Sequence, residues 1–313
     1  MPQHRVGAET RSERPSSDLD ALATEAGGDA GTDLEALSTR ALVDLMAAQD
    51  AAVPAAVAAI GGPLADLVDA VAERLRRGGR LVYVGAGSSG RLAAVDASEC
   101  ESTFSVAPGT VVALQAGGAG ASPLEQEAAE DDADAGAADV EALAVRAADA
   151  VVGVSASGRT PYVLGAMSAA TGVGALTACI VSVPDSGLAR HVDHPIVVLV
   201  GPEFLAGSTR LKAGTAQKLV LNALSTITMI RLGKTFGNLM VDVAATNEKL
   251  RARVRRIVRS ATGASPGQAE DALDAAGGDA KVAIVTLLLG IEAADARALL
   301  DSSDGSVRRA VER

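Results

Sequence analysis

Five short β-branched runs recur along the middle of the chain: RLVYVG (80–85), TVVALQAG (110–117), DAVVGVS (149–155), ACIVSV (178–183) and PIVVLV (195–200). Each is too short for a helix, and helical or turn segments separate it from the next. Such alternation implies an α/β architecture, a doubly wound parallel sheet covered by helices on both faces. Ahead of the first run, Leu34, Leu37, Ala41, Leu45 and Ala48 fall at helical spacing. A second helix follows Pro54, and a third runs from about Pro63 to Arg77 and stops at Gly78-Gly79. Beyond the last run the pattern predicts a long helix over about 209–232. Ala- and Arg-rich helical segments follow, broken near Thr262-Gly263, Gly277-Gly278 and Gly290, and read as a small three-helix module. The implied organisation is a mobile N-terminal arm over 1–33, a core domain with its N-terminal helices over 34–245, and a C-terminal helical module over 246–313.

Composition narrows the function. Of 313 residues 48% are hydrophobic, yet only three Phe and two Tyr are aromatic and Trp is absent, so stacking platforms for bases or sugar rings are excluded. A formal net charge of -11 speaks against a nucleic-acid footprint, so any anion must be held by local groups. Cys100 and Cys179, far apart and with no CxxC pair, indicate a reduced, cytoplasmic chain. No apolar run reaches the roughly 18 residues of a membrane span, and the N-terminus lacks the apolar stretch of a secretory signal.

Three loops carry candidate chemistry. Gly85, Gly87 and Gly90 match G-x-G-x-x-G between a strand and a helix, where free amides attract anions. A dinucleotide site would need an acid at the end of the second strand, where Gln115 and Ala116 stand instead. Ser88 and Ser89 suit a single phosphate; a tight turn with a serine cap has the same residues. The second loop, Ser155-Ala156-Ser157-Gly158-Arg159-Thr160-Pro161, repeats the arrangement, with Pro161 opening a helix and Ser155, Ser157 and Thr160 supplying hydroxyls. Both loops contain Ser-Gly-Arg, and a switch point of the sheet could bring them to one phosphate. The third element, 201–218, gathers Gly, hydroxyl and cationic residues at the start of the long helix, Ser208 and Lys212 among them.

GAGSSGRL, DASEC, SASGRTPYV, GPEFLAGSTRLKAGTAQKLVLN and KTFGNLMVDVAATNEKL together closely resemble the N-acetylmuramic acid 6-phosphate etherases, built on the sugar isomerase (SIS) domain, from about Leu34 to the C-terminus. The resemblance implies a SIS-type fold and a carbon–oxygen lyase of amino-sugar catabolism and peptidoglycan recycling. It would cleave the lactyl ether of N-acetylmuramic acid 6-phosphate to N-acetylglucosamine 6-phosphate and D-lactate. It further implies a homodimer without metal or organic cofactor. Gly87, Ser88, Ser89, Ser155, Ser157, Thr160, Ser208 and Lys212 become the expected sugar-phosphate contacts. The family's acid/base glutamate lies in its SEC motif, here Ser98-Glu99-Cys100, and a second catalytic glutamate corresponds to Glu130 in EAAEDD. Read without the resemblance, Glu130 sits among Glu125, Glu127, Asp131 and Asp132 and equally describes a solvated acidic face.

Two carboxylates fit the chemistry. The C1 aldehyde of the ring-opened sugar acidifies the C2 proton; a base removes it, lactate departs from C3, and water adds to the unsaturated aldehyde. One group must hold the C2 proton and one must protonate the departing oxygen, which near neutral pH calls for a raised glutamate pKa. The ten residues from Ser89 to Glu99 would span ~15 Å of continuous helix, more than one sugar phosphate covers. A site shared across a dimer is therefore expected unless the helix bends back.

The chain departs from the family near its N-terminus, where Ser12-Glu13-Arg14-Pro15-Ser16 replaces Thr-Glu-x-x-Asn, and after Cys100, where Glu101-Ser102-Thr103 replaces Pro-Pro-Thr. Other candidates read as structural: His191 and His194 have no third metal ligand nearby, Cys100 has no histidine to activate it, and the Arg run 251–259 reads as a solvated helix face. Two alternatives share the loops: a non-catalytic sugar-phosphate-binding regulator similar to the glucokinase regulatory protein, and a phosphosugar isomerase. Retention of Glu99 and Glu130 favours an enzyme over the first, and the GSTRLKAGTAQK and GNLMVDVAATNEK blocks favour the etherase over the second.

Overall fold

The computed structural model describes residues 32–118, 120–243 and 248–312. The expected mobile arm through residue 31 and the boundary at 245/246 lie outside the described residues. Strands β1 (Leu81–Gly85), β2 (Val111–Gln115), β3 (Ala150–Val154), β4 (Leu176–Val181) and β5 (His194–Val197) form one parallel sheet in the order β2-β1-β3-β4-β5. All five expected runs become strands: the first three lose a residue or more at their ends, while β4 and β5 begin two and one residues ahead of their runs and end two and three short of them. β1 and β3 are buried along their full length, which is why their sequences run apolar without alternation. The strand order reverses between β1 and β3. A crevice therefore opens beyond their carboxyl ends, where Gly85 stands level with Val154.

One sheet face is covered by α3 (Gly61–Arg76), α4 (Gly87–Phe104) and α8 (Lys212–Arg231), around Leu67, Val71, Tyr83, Ala93, Leu221 and Leu224. The other carries α6 (Ala133–Ala142) and α7 (Pro161–Gly172), around Val82, Val84, Val140, Tyr162 and Met167. The opposite end of the sheet, where the strands begin, is held by Asp149, whose side chain is wholly buried. Its carboxylate accepts from the Arg80 amide (2.8 Å) and guanidinium (2.7 Å) and from the Arg146 amide (2.9 Å).

Two expectations at the N-terminal end are corrected. The helix drawn from Leu34 breaks after a short 3-10 turn, Leu34–Ala36, because Ser38 caps α1 (Thr39–Asp50) by accepting from the Ala41 amide. The stretch Thr39–Ala59 is, by length and composition, long and apolar enough to cross a membrane, with a mean hydropathy of 1.4. The stretch turns at Ala51-Ala52, and α2 (Val53–Ala59) buries Val53 in the core beside α8.

After α8 a hairpin of β6 (Thr235–Phe236) and β7 (Leu239–Met240), not foreseen from the sequence, leads to α9 (Glu248–Thr262), α10 (Pro266–Ala275), α11 (Ala280–Leu289), α12 (Ala293–Asp301) and α13 (Val307–Val311). Where three helices were expected, the described residues of the tail form five. All share a core of their own, built from Val254, Ile257, Val258, Leu273, Ile284 and Leu300, against which Phe236 and Leu239 pack.

Candidate active site

Gly85 and Gly90 are in contact because neither has a side chain. A Cβ on Gly90 would lie 2.7 Å from the Gly85 carbonyl oxygen. This close approach of strand and helix accounts for the glycine motif without a nucleotide. Gly87 opens α4 at φ +52°. The first intrahelical bond runs from the Gly90 amide to Ala86 O (3.0 Å), so the amides of Gly87, Ser88 and Ser89 precede it, and no side chain caps them. Uncapped amides at the positive end of an 18-residue helix make a seat for an anion.

The second loop faces this seat. The Gly158 amide donates to Ser155 Oγ (3.1 Å), Ser155 and Thr160 share a hydroxyl hydrogen bond (3.0 Å), and Thr160 Oγ1 donates to Glu130 Oε1 (3.3 Å). Ser157 Oγ accepts from the Arg159 amide (3.3 Å). Gly158, at φ +63°, has no room for a side chain, since a Cβ would meet Ser186 Oγ at 2.3 Å. Glu130 ends α5 (Pro123–Glu130) and lies over the first loop, its Oε2 3.7 Å from where a Gly87 Cβ would stand. Gly207, Ser208, Thr209 and Arg210 form a third wall, closing a cavity of about 420 Å³.

Of the ten predicted site residues, eight line this cavity: Gly87, Ser88, Ser89, Glu130, Ser155, Ser157, Thr160 and Ser208. Lys212 does not line it, but is only 6% exposed, and its ammonium makes no hydrogen bond or ion pair among the described residues. A buried cation in that state is suited to an anionic ligand. Glu99 stands apart: α4 is continuous, and the Glu99 side chain is 64% exposed on it, its Oε2 3.6 Å from Lys218 Nζ. One turn earlier Asp96 is buried beneath. It accepts from the Tyr83 hydroxyl (3.0 Å) and the Ser225 hydroxyl (3.2 Å), and desolvation holds its carboxyl above the usual range although both hydrogen bonds oppose the shift.

The sequence reading missed Arg210, Gly207 and Thr209, which complete the cavity wall, and two organising residues. Glu203, fully buried, caps α8 by accepting from the Lys212 amide (2.8 Å) and the Ala213 amide (2.9 Å), so that helix start is already occupied by a carboxylate. Gln217 accepts from the Ser89 hydroxyl (2.9 Å) and joins α4 to α8. Only the density of polar residues in 201–218 pointed to either.

Comparison with known proteins gives this arrangement a family. The profile of the glucokinase regulatory protein N-terminal SIS domain matches residues 63–171, and that of the SIS domain matches 131–227. The phosphoheptose isomerase from Francisella tularensis superposes with a TM-score of 0.51 at 18% identity, over 62% of this chain and all 100% of that one, a likeness of fold. The N-acetylmuramic acid 6-phosphate etherase of Rubrobacter xylanophilus is 57% identical over 293 residues, 94% of this chain and 97% of that protein. That of Streptomyces avermitilis is 55% identical over 295 residues, 94% and 95%.

The chain belongs to the N-acetylmuramic acid 6-phosphate etherase family.

Within this etherase the family departures have visible consequences. Glu101, the carboxylate added after Cys100, turns away to accept from the Gly109 amide (3.3 Å). Cys100 is 2% exposed, and burial pushes its thiol up to about 12. The His191 ring is engaged by Gly187 O (2.6 Å), and among the described residues no group of three His, Cys, Asp or Glu could hold a metal. Arg251 and Arg255 of the basic run pair with Glu248 on their own helix. The Ser12–Ser16 departure lies outside the described residues.

Proposed function

We infer that the chain cleaves the D-lactyl ether of N-acetylmuramic acid 6-phosphate in the cytoplasm, with the phosphate seated at the α4 N-terminus between the two Ser-Gly-Arg loops. The observation that carries this is the convergence of both loops, Glu130 and Ser208 on one cavity of about 420 Å³ in a chain 57% identical to a named etherase. Once the phosphate is held and the ring is open, a carboxylate takes the C2 proton, the C3–O bond breaks and lactate leaves with a proton. Water then adds its hydroxyl to C3 and a proton to C2. In this reading Glu99 exchanges the C2 proton and Glu130 assists elimination or hydration. Lys218 Nζ lies 3.6 Å from the Glu99 carboxylate.

Glu99 lies three turns along α4, so the reading requires a homodimer whose second subunit presents Glu99 to the cavity. Support comes from the exposed apolar side chains on α4 and α8: Val95 (46%), Leu219 (37%), Ile227 (40%) and Ile230 (47%). Incubating the protein with N-acetylmuramic acid 6-phosphate should release D-lactate and N-acetylglucosamine 6-phosphate. No lactate together with tight phosphosugar binding would return the reading to a sugar-phosphate regulator. For the shared site, mixing Glu99→Ala subunits with Ser88→Ala subunits should restore activity above either parent. Failure to do so in mixed dimers of verified composition sinks that part.

A further inference from the structure

At the far end of the molecule a cleft of about 460 Å³ runs between the core and the C-terminal helices. Arg76 closes α3, Arg231 closes α8, Lys234 follows it, and Lys281 and Arg309 come from α11 and α13. Five cations in one cleft are unexpected in a chain with a formal net charge of -11. Their partners do not balance them. Lys234 and Lys281 both bind the same oxygen of Asp242, at 2.8 and 2.7 Å. Glu73 is shared between Arg76 (3.2 Å) and Arg77 (2.7 Å), Arg231 has Asp69 (3.3 Å), and Arg309 has Asp304 (3.0 Å). Six cations thus face four carboxylates, an excess of two positive charges. Of the four carboxylates only Asp304 lines the cleft, and of the six cations all but Arg77 do.

We propose that this cleft is a second anion site, which takes a phosphomonoester-bearing small metabolite and clamps the C-terminal helices to the core. A phosphomonoester carries about −1.5 to −2 charges at pH 7, which matches the excess. Arginine forks offer the paired donors that phosphate oxygens accept. The volume admits a sugar- or nucleotide-sized body. The site is separate from the loop cavity, since the two share no lining residue. A ligand here would touch the core through Arg231 and Lys234 and the tail through Lys281 and Arg309, so binding would stabilise their docking.

Calorimetric titration of the full chain with inorganic phosphate at low ionic strength should reveal two sites, one in each cavity. R231Q combined with R309Q should weaken one of them by about tenfold or more, since charge-assisted hydrogen bonds are lost, and leave the other unchanged. Phosphate should also slow amide exchange at residues 106–110 and 303–309 in the wild type and not in the double variant. If the double variant does not fold, Arg76→Gln, on the core side alone, serves for the same comparison. The absence of any phosphate site sensitive to these substitutions overturns the proposal.

Discussion

The proposed function gives individual side chains separable duties. Glu99 and Glu130 are assigned to chemistry, and general acid–base groups contribute typically 10²–10⁴-fold. Glu99→Gln and Glu130→Gln should each lower kcat for lactate release by about that range with little change in KM. A change confined to KM would move the residue from proton transfer to binding. Asp149 is assigned to structure. Its burial alone would raise the carboxyl, but the Arg80 guanidinium and the amides of Arg146 and Arg80 outweigh that and hold it below the usual range. A carboxylate depressed in the folded state stabilises the fold fully above its unfolded pKa of about 3.9, and the contribution is lost as pH falls through the folded value. Asp149→Asn should therefore cost about 2–4 kcal/mol near neutral pH, and the gap from wild type should narrow in melting experiments below about pH 4. Cys100 should resist iodoacetamide at pH 8 in the folded protein and react once it unfolds, because thiolate is scarce with a thiol near 12.

At the scale of elements, the period of the apolar pattern was the most legible feature. β1 and β3 are buried on both faces and show no alternation, so it was the shortness of their runs that set them apart from helix, and Gly78, Gly263 and Gly290 end helices where the breaks were expected, each at positive φ. The cavity was legible in its first two loops because strand, glycine, hydroxyl and helix follow one another locally. The rest depends on contacts distant in sequence. Glu203 caps α8 from nine residues upstream, with no alternation or motif to mark it. The two-residue strands β6 and β7 are too short for any period to register. The cap makes a test: Glu203→Ala removes two charge-assisted bonds to buried amides and should lower stability by about 2–4 kcal/mol, with Glu203→Gln milder, both read by denaturant unfolding. Gly158→Ala combines a strained φ with a 2.3 Å clash against Ser186 Oγ. It should cost about 2–4 kcal/mol and weaken phosphate binding in the loop cavity.

The whole molecule joins a sheet-based core to a helical tail through the β6–β7 hairpin, whose Phe236 and Leu239 belong to the tail's apolar cluster. Truncation after residue 263 would bare Val254, Ile257 and Val258 of α9. The shortened chain should melt earlier and aggregate on size-exclusion chromatography; an unchanged melting temperature would make the tail a detachable appendage. The scarcity of aromatics also finds its reason at this scale. Tyr83, Phe104 and Tyr162 are buried in the core, and no aromatic ring lines the loop cavity, whose walls offer amides, hydroxyls and charge.

The strand order has a consequence for synthesis. β1 ends in mid-sheet with its anion seat already formed, but the neighbour that completes the crevice, β3, is made only after β2, α5 and α6, and the third wall at 207–210 comes later still. At roughly 5–20 residues per second, a ribosome holds a chain with a half-built pocket and an unpaired central strand for on the order of ten seconds. During that interval β1 offers one open edge to any extended partner. Nascent chains halted before residue 150 should therefore be the species most dependent on chaperones, and those halted beyond 231, with β3 and α8 in place, the least.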